Sequence, residues 1–187
     1  PVFCTGGGVI NAGPRASDPL RPLQTLTGAP VTTTLMGLGS FPAGHPDWLG
    51  MLGMHGTYEA NMAMNQADLI VCIGARFDDR VTGRLDAFAP NSLKIHIDID
   101  RSSINKTVAV DLPIVGDCGQ VLDQLIAAWG DRQPLDLADW KARITGWRAR
   151  DSLAYPRSAA AIMPQLAVER LHALTAHLDP IIATEVG

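Results

Sequence analysis

The stretch "DLIVCIGARFDDRVTG" (residues 68–83) holds five consecutive apolar residues, Leu69 to Ile73, stops at Gly74, and continues with two arginines and two aspartates. An apolar run that is short, rich in β-branched residues and free of polar interruptions suits a strand covered on both faces. That is the character of parallel sheets, whereas half-exposed antiparallel strands alternate. Charged groups directly behind such a strand fall at the edge of the sheet where α/β proteins bind ligands.

Similar runs recur in both directions from this one, each bounded by Gly or Pro: "PVFCTGGG" (1–8), "PVTTTL" (30–35), "LKIHIDID" (93–100) and "LPIVGD" (112–117). Between them lie candidate helices at about 18–27, 57–66 and 119–129. Strands alternating with helices predict an α/β fold with a doubly wound parallel sheet, Rossmann-like in its architecture. After Gly130 the pattern changes to polar helical segments containing Trp, as in "DLADWKARITGWRARD" (136–151), with a further helix at about 165–176. The sequence is therefore divided into an α/β domain over 1–130, a helical connecting arm over 131–178, and the first strand of a further domain over 179–187, "PIIATEVG" from Pro180. A strand with no following partners, and a first residue that is not Met, lead us to expect a piece of a longer polypeptide.

The chain has 187 residues, 47% hydrophobic and 18% charged, with a formal charge of -4. No apolar stretch approaches the roughly 20 residues that would span a bilayer, and no cluster of Lys or Arg offers a nucleic-acid surface. Neither a membrane nor a nucleic-acid partner is expected. Cys4, Cys72 and Cys118 are odd in number, lie in or beside apolar runs and lack CxxC spacing, which favours buried thiols and a reducing compartment over a metal or redox site.

Several ligand-binding patterns fail when checked position by position. In "GGGVINAG" (6–13), Gly6 and Gly8 match the first two glycines of a dinucleotide fingerprint, but Asn11 stands at the third and no acidic residue ends the second strand. Gly8 and Gly13 have the spacing of a phosphate-binding P-loop, yet Pro14 and Arg15 replace its Lys and Ser/Thr. The triple glycine is then either a tight strand-to-helix turn or a turn kept bare for a cofactor. "TTTLMGLG" (32–39) and "LGMLGMHGTYEAN" (49–61) add further glycine-rich segments at strand ends. His55 lies in the second of these, either structural or in contact with a ligand. In "GARFDDRVTG" (74–83), Arg76 suits a phosphate, while Asp78, Asp79 and Arg80 suit either a substrate carboxylate or a solvated network of their own.

Taken in order, "TTTLMGLG", "LGMLGMHGTYEANMAMNQADLIVCIGARFDDRVTGRLDAFAP" and "HIDIDRSSINK" resemble the central domain of the acetohydroxyacid synthase (acetolactate synthase) catalytic subunit, with the likeness extending from the first residues to about Asp117. "PIIATEVG" resembles the opening of that family's diphosphate-binding domain. The resemblance implies a bacterial, cytoplasmic, thiamine-diphosphate-dependent enzyme that condenses pyruvate with pyruvate or 2-ketobutyrate, with loss of carbon dioxide, in branched-chain amino acid synthesis. It implies a homo-oligomer (dimer or tetramer) of the catalytic subunit, with a small regulatory subunit as a further partner.

It also implies that this domain binds FAD in an extended form. The matching positions are Gly6, Gly7 and Gly8, then Thr34, Leu35 and Met36, then Leu52, Gly53, Met54 and His55. They continue with Gly74, Ala75, Arg76, Asp78, Arg80 and Val81, and with Asp98, Ile99, Asp117 and Cys118 at the adenosine end. Asp79 and Arg80 match residues at the mouth of the substrate channel. No catalytic residue is expected here, because the activating glutamate belongs to the family's first domain. The motif for thiamine diphosphate and Mg2+ is also missing, since Gly116-Asp117 is followed by Cys118-Gly119 and no paired Asn. The alternatives are another thiamine enzyme, such as glyoxylate carboligase or oxalyl-CoA decarboxylase, and a stand-alone nucleotide-binding module.

Overall fold

A computed structural model describes residues 1–158 and 160–183. Six parallel strands form one sheet in the order β3-β2-β1-β4-β5-β6: β1 Val2–Thr5, β2 Val31–Thr33, β3 Trp48–Met51, β4 Leu69–Ile73, β5 Leu93–Asp98 and β6 Leu112–Val115. The order reverses between β1 and β4, the position at which doubly wound sheets open a crevice. All five expected strands of the α/β domain are present. β3 is an addition, lying where a glycine-rich segment is expected from the sequence.

The alternation of side chains explains why these strands read as continuous apolar runs. In β1, Val2 and Cys4 enter one core while Phe3 enters the other; in β4, Ile70 and Cys72 face one side, Val71 and Ile73 the other. The first core is closed by α3 (Tyr58–Gln66) and α6 (Ala138–Arg148), through Ala60, Ala63, Met64 and Ile144. The second is closed by α1 (Gly7–Ala12), α2 (Pro14–Thr27) and α5 (Cys118–Trp129), through Val9, Ala16, Leu20, Leu23, Val121 and Leu122. All three cysteines are free and buried.

The helix expected at about 18–27 begins earlier, with Pro14 in its first turn, where a missing N–H costs nothing. Pro19 and Pro22 lie inside it. Pro19 leaves the carbonyl of Arg15 without its helical donor, and it is against this oxygen that Gly119 of α5 packs, too closely for a side chain to fit.

The chain divides into two compact units, Pro1–Ser152 and Leu153–Gly187. In the first, α6 is fastened by Lys141 to Asp47 (2.9 Å), by Arg148 to the carbonyls of Pro46 and Trp48 (3.0 and 2.8 Å), and by the apolar contacts of Trp140, Ile144 and Trp147. The second contains α7 (Pro164–Thr175), where Glu169 accepts hydrogen bonds from Tyr155 and Arg157. Residues 180–183 of the expected strand "PIIATEVG" carry no strand, and residues 184–187 lie outside the described residues.

Candidate functional site

The crevice between β1 and β4 is lined by backbone. A Cβ on Gly8 would sit 2.7 Å from the Cα of Gly74, and one on Gly74 would sit 2.8 Å from the Cα of Gly8. A side chain at Gly6 would collide with the Gly74 carbonyl. Gly74 also has φ +60, a conformation disfavoured for other residues. Close approach of two chain segments is therefore enough to require these glycines, whatever binds above them. Their amides are also engaged, Gly6 N–H on Ile73 O (3.0 Å) and Gly8 N–H on Gly74 O (2.9 Å). This leaves Gly7, the first residue of α1, as the glycine whose amide stands outside these pairs.

Behind β4, the segment 74–83 turns sharply. Phe77 has φ +53 and is buried, its ring edge-on to Phe88 (centroids 5.9 Å apart) and to His96 (5.2 Å). The carbonyl of Ala75 accepts from His96 Nε2 at 2.8 Å and from Cys72 Sγ at 3.1 Å. Asp78 caps the short helix α4 (Asp79–Thr82), its Oδ1 accepting from the amides of Arg80 (3.1 Å) and Val81 (3.3 Å). Its other oxygen lies 3.9 Å from the exposed guanidinium of Arg76. Asp79 and Arg80 are exposed, and Val81 is half-buried against the core.

The end of β3 meets this segment. Met54 N–H donates to Arg80 O at 3.0 Å, and a Cβ on Gly53 would lie 2.5 Å from the same oxygen. Asn61 of α3 holds Gly53 from both sides, accepting its N–H at 2.8 Å and donating to its carbonyl at 2.9 Å. Leu52 is buried and His55 exposed. After β2, Thr34 precedes a single 3-10 turn, Leu35–Gly37, and Gly7 faces Met36, whose Cβ would lie 3.2 Å from a Cβ placed on that glycine. Leu35, Met36, Met54 and Ile99 are each at least 65% exposed, an apolar rim at the carboxyl ends of the strands.

A cavity of about 200 Å3 opens at these ends beside β5 and β6, lined by Gly8, Asn11, Ala12, Arg15, Gly74, Asp98, Ile99, Asp117 and Cys118. It brings together the four residues matched to the adenosine end with one glycine from each side of the crevice. Asp98 is buried; its Oδ1 accepts the Asp100 N–H at 2.8 Å, and its Oδ2 lies 3.7 Å from His96 Nε2. Asp117 caps α5 by accepting from Gln120 N–H at 3.2 Å. Burial, reinforced by the nearby Asp117 carboxylate, pushes the Cys118 thiol up, so it is a neutral wall and not a nucleophile. Burial also lowers the His96 pKa, which keeps its imidazole neutral.

Sequence reasoning missed the residues that hold this surface in shape: His96, Phe77, Cys72 and Asn61, together with Asn11 and Arg15 at the cavity wall. Phe77 carried no signal, because a positive φ at Phe is set by tertiary contacts. The alternation in "LKIHIDID" did mark His96 as facing the same way as Asp98. Among the described residues no group of three or more His, Cys, Asp or Glu side chains could hold a metal ion, and no helix is long and apolar enough to cross a membrane.

Residues 1–125 match the family described as "Thiamine pyrophosphate enzyme, central domain". Over its whole length the chain is 48% identical to the acetolactate synthase isozyme 3 large subunit of Escherichia coli strain K12, of which it covers 33%. It is 46% identical, again over its whole length, to the acetolactate synthase large subunit of Buchnera aphidicola subsp. Schizaphis graminum, covering 32%, and 43% identical to that of Haemophilus influenzae, covering 33%. The chain thus spans about a third of the length of the curated relatives it matches.

Proposed function

Because this chain belongs to the thiamine pyrophosphate enzyme family, whose central domain it carries, we propose that it is the FAD-binding part of an acetolactate synthase catalytic subunit. The cavity carries this reading. It is smaller than the roughly 300–1,000 Å3 of pockets that enclose a whole ligand, so it suits one end of an extended molecule. Asp98 keeps an oxygen free of backbone bonds to accept from a ribose hydroxyl, and Ile99 offers an apolar surface to a base. From there the dinucleotide would run past Gly7 towards Arg76, the cation suited to its pyrophosphate, and its apolar ring would lie along Leu35, Met36 and Met54. The engaged amides of Gly6 and Gly8 assign those two residues to the shape of the crevice, and Gly7 to donation.

In the family resembled, the flavin is not reduced and reoxidised in turnover, so these residues bind and orient it. Thiamine diphosphate with Mg2+ would supply the carbon–carbon chemistry, and among the described residues no group of three or more His, Cys, Asp or Glu side chains could hold its metal. Of the pair nearest to a diphosphate motif, Asp117 caps α5 and Gly116 donates its N–H to the Asp98 carbonyl at 3.0 Å. In the whole protein we assign Asp79 and Arg80 to the substrate access path, where pyruvate and 2-ketobutyrate would pass. The whole protein would be a homo-oligomer working in the bacterial cytoplasm, with a regulatory subunit as a further partner.

The test is a fluorescence titration of FAD into the chain and its Asp98→Ala variant. Loss of one charge-assisted bond should weaken binding about tenfold or more, and neither protein should form acetolactate from pyruvate with thiamine diphosphate and Mg2+ supplied. Equal FAD affinity in the two would remove Asp98 from the site, and turnover by the chain would mean that the catalytic groups lie within it.

A further inference from the structure

We propose that His96 is a positioning residue for the flavin-contacting segment 74–81: from β5 it sets the Ala75 carbonyl and the Phe77 ring, and through them Arg76 and the residues from Asp78 to Val81. The proposal rests on the flavin reading of the site, but its geometry stands on its own. A carbonyl only accepts, so the 2.8 Å contact requires the proton on Nε2. The Cys72 thiol converges on the same oxygen from the neighbouring register position, Cys72 being paired with His96 across β4 and β5. The peptide at which the chain leaves the sheet is therefore clamped from two strands.

Phe77 supplies the second anchor. A phenylalanine at φ +53 persists only where its surroundings hold it. What holds it is burial together with edge-on contacts to His96 (74° between ring planes) and to Phe88 (71°). Asp78, next in the chain, then stands where it can cap α4, and the Arg80 carbonyl where it can take Met54 N–H. One imidazole thus supports contacts that reach two other strand ends.

The unused nitrogen sharpens the assignment. His96 is 1% exposed, and Nδ1 has no partner among the described residues. Most buried polar atoms are paired, and an apolar ring would fill this space without an orphaned lone pair. The bond made by Nε2 accounts for a histidine here. The same nitrogen lies 3.7 Å from Asp98 Oδ2, so the imidazole separates the loop from the carboxylate in the cavity and fixes the spacing between the two.

The experiment compares the unmodified chain with His96→Phe, which keeps a ring but no donor, and His96→Gln, whose amide can donate from the Nε2 position. In His96→Phe, amide hydrogen exchange at residues 76–82 should rise about tenfold, the loss of roughly one hydrogen bond, while Cys72 and Ile73 in β4 change little. FAD affinity should fall by a similar factor, and His96→Gln should recover both. Unchanged exchange at 76–82, a rise shared equally by the whole sheet, or no recovery in His96→Gln would each overturn the proposal. Should His96→Phe not fold, the imidazole 15N shifts of the unmodified chain decide: a protonated Nε2 is expected, and a protonated Nδ1 overturns it. Failure of the unmodified chain to bind FAD would sink the flavin reading alone, and the exchange contrast would still judge His96.

Discussion

At the end of β4 the chain has room for backbone and little else: Gly74 faces Gly8 across the crevice, and Ala75 turns its carbonyl inward to a histidine and a thiol. Burial is what makes that histidine sensitive to acid. Its pKa in the folded chain lies below the ordinary value of about 6.5, so between those two values the unfolded chain binds more protons than the folded one. Stability must therefore rise with pH across that window, and must fall as the pH drops below about 6.5. Urea unfolding between pH 7.5 and 5 should show this loss, and His96→Gln should reduce its slope, because glutamine does not titrate there. An identical slope in the variant would mean that His96 takes up its proton equally in the folded and unfolded chain. The charged residues in the same neighbourhood have other duties. Asp78 caps α4 while Asp79 and Arg80 stay exposed, so the cluster that reads as one acidic and basic patch separates into a structural carboxylate and a solvent-facing pair.

Among the elements, α6 shows how much of the fold lies outside simple periodicity. Its Ile144 is 5% exposed and enters the core shared with α3 and β4, while Trp140 and Trp147 pack edge-on at 5.6 Å beside it. Ile144→Ala should cost about 2–5 kcal/mol in urea unfolding, the range for a buried aliphatic truncation; a cost below about 1 kcal/mol, the level of surface sites, would mean that α6 is only loosely applied. From sequence, five strands were legible because sheets buried on both faces leave unbroken Val- and Ile-rich runs. β3 was not, because "WLGM" is four residues long, contains Gly50 at φ +88, and sits among glycines that resemble a loop. The start of α2 was legible in principle from Pro14, but Pro19 and Pro22 obscured it. The positions around the cavity could be listed from resemblance, yet their convergence could not, since it depends on the reversal of strand order between β1 and β4.

For the molecule as a whole, we propose that the carboxyl edge of one parallel sheet forms a largely ready-made seat for the adenosine end of FAD, within a chain about a third as long as its curated relatives. The exposed rim of Leu35, Met36 and Met54 would give the flavin ring a surface on one side only, so affinity should be modest and weighted towards the enclosed end. Isothermal titration of FAD and of FMN, side by side into the purified chain, measures that weighting directly. FMN has the flavin ring and one phosphate but nothing to place against Asp98, Ile99, Asp117 and Cys118. FAD should bind at least about tenfold tighter than FMN, a difference of about 1.4 kcal/mol; equal affinities would contradict an adenosine seat at this end of the sheet.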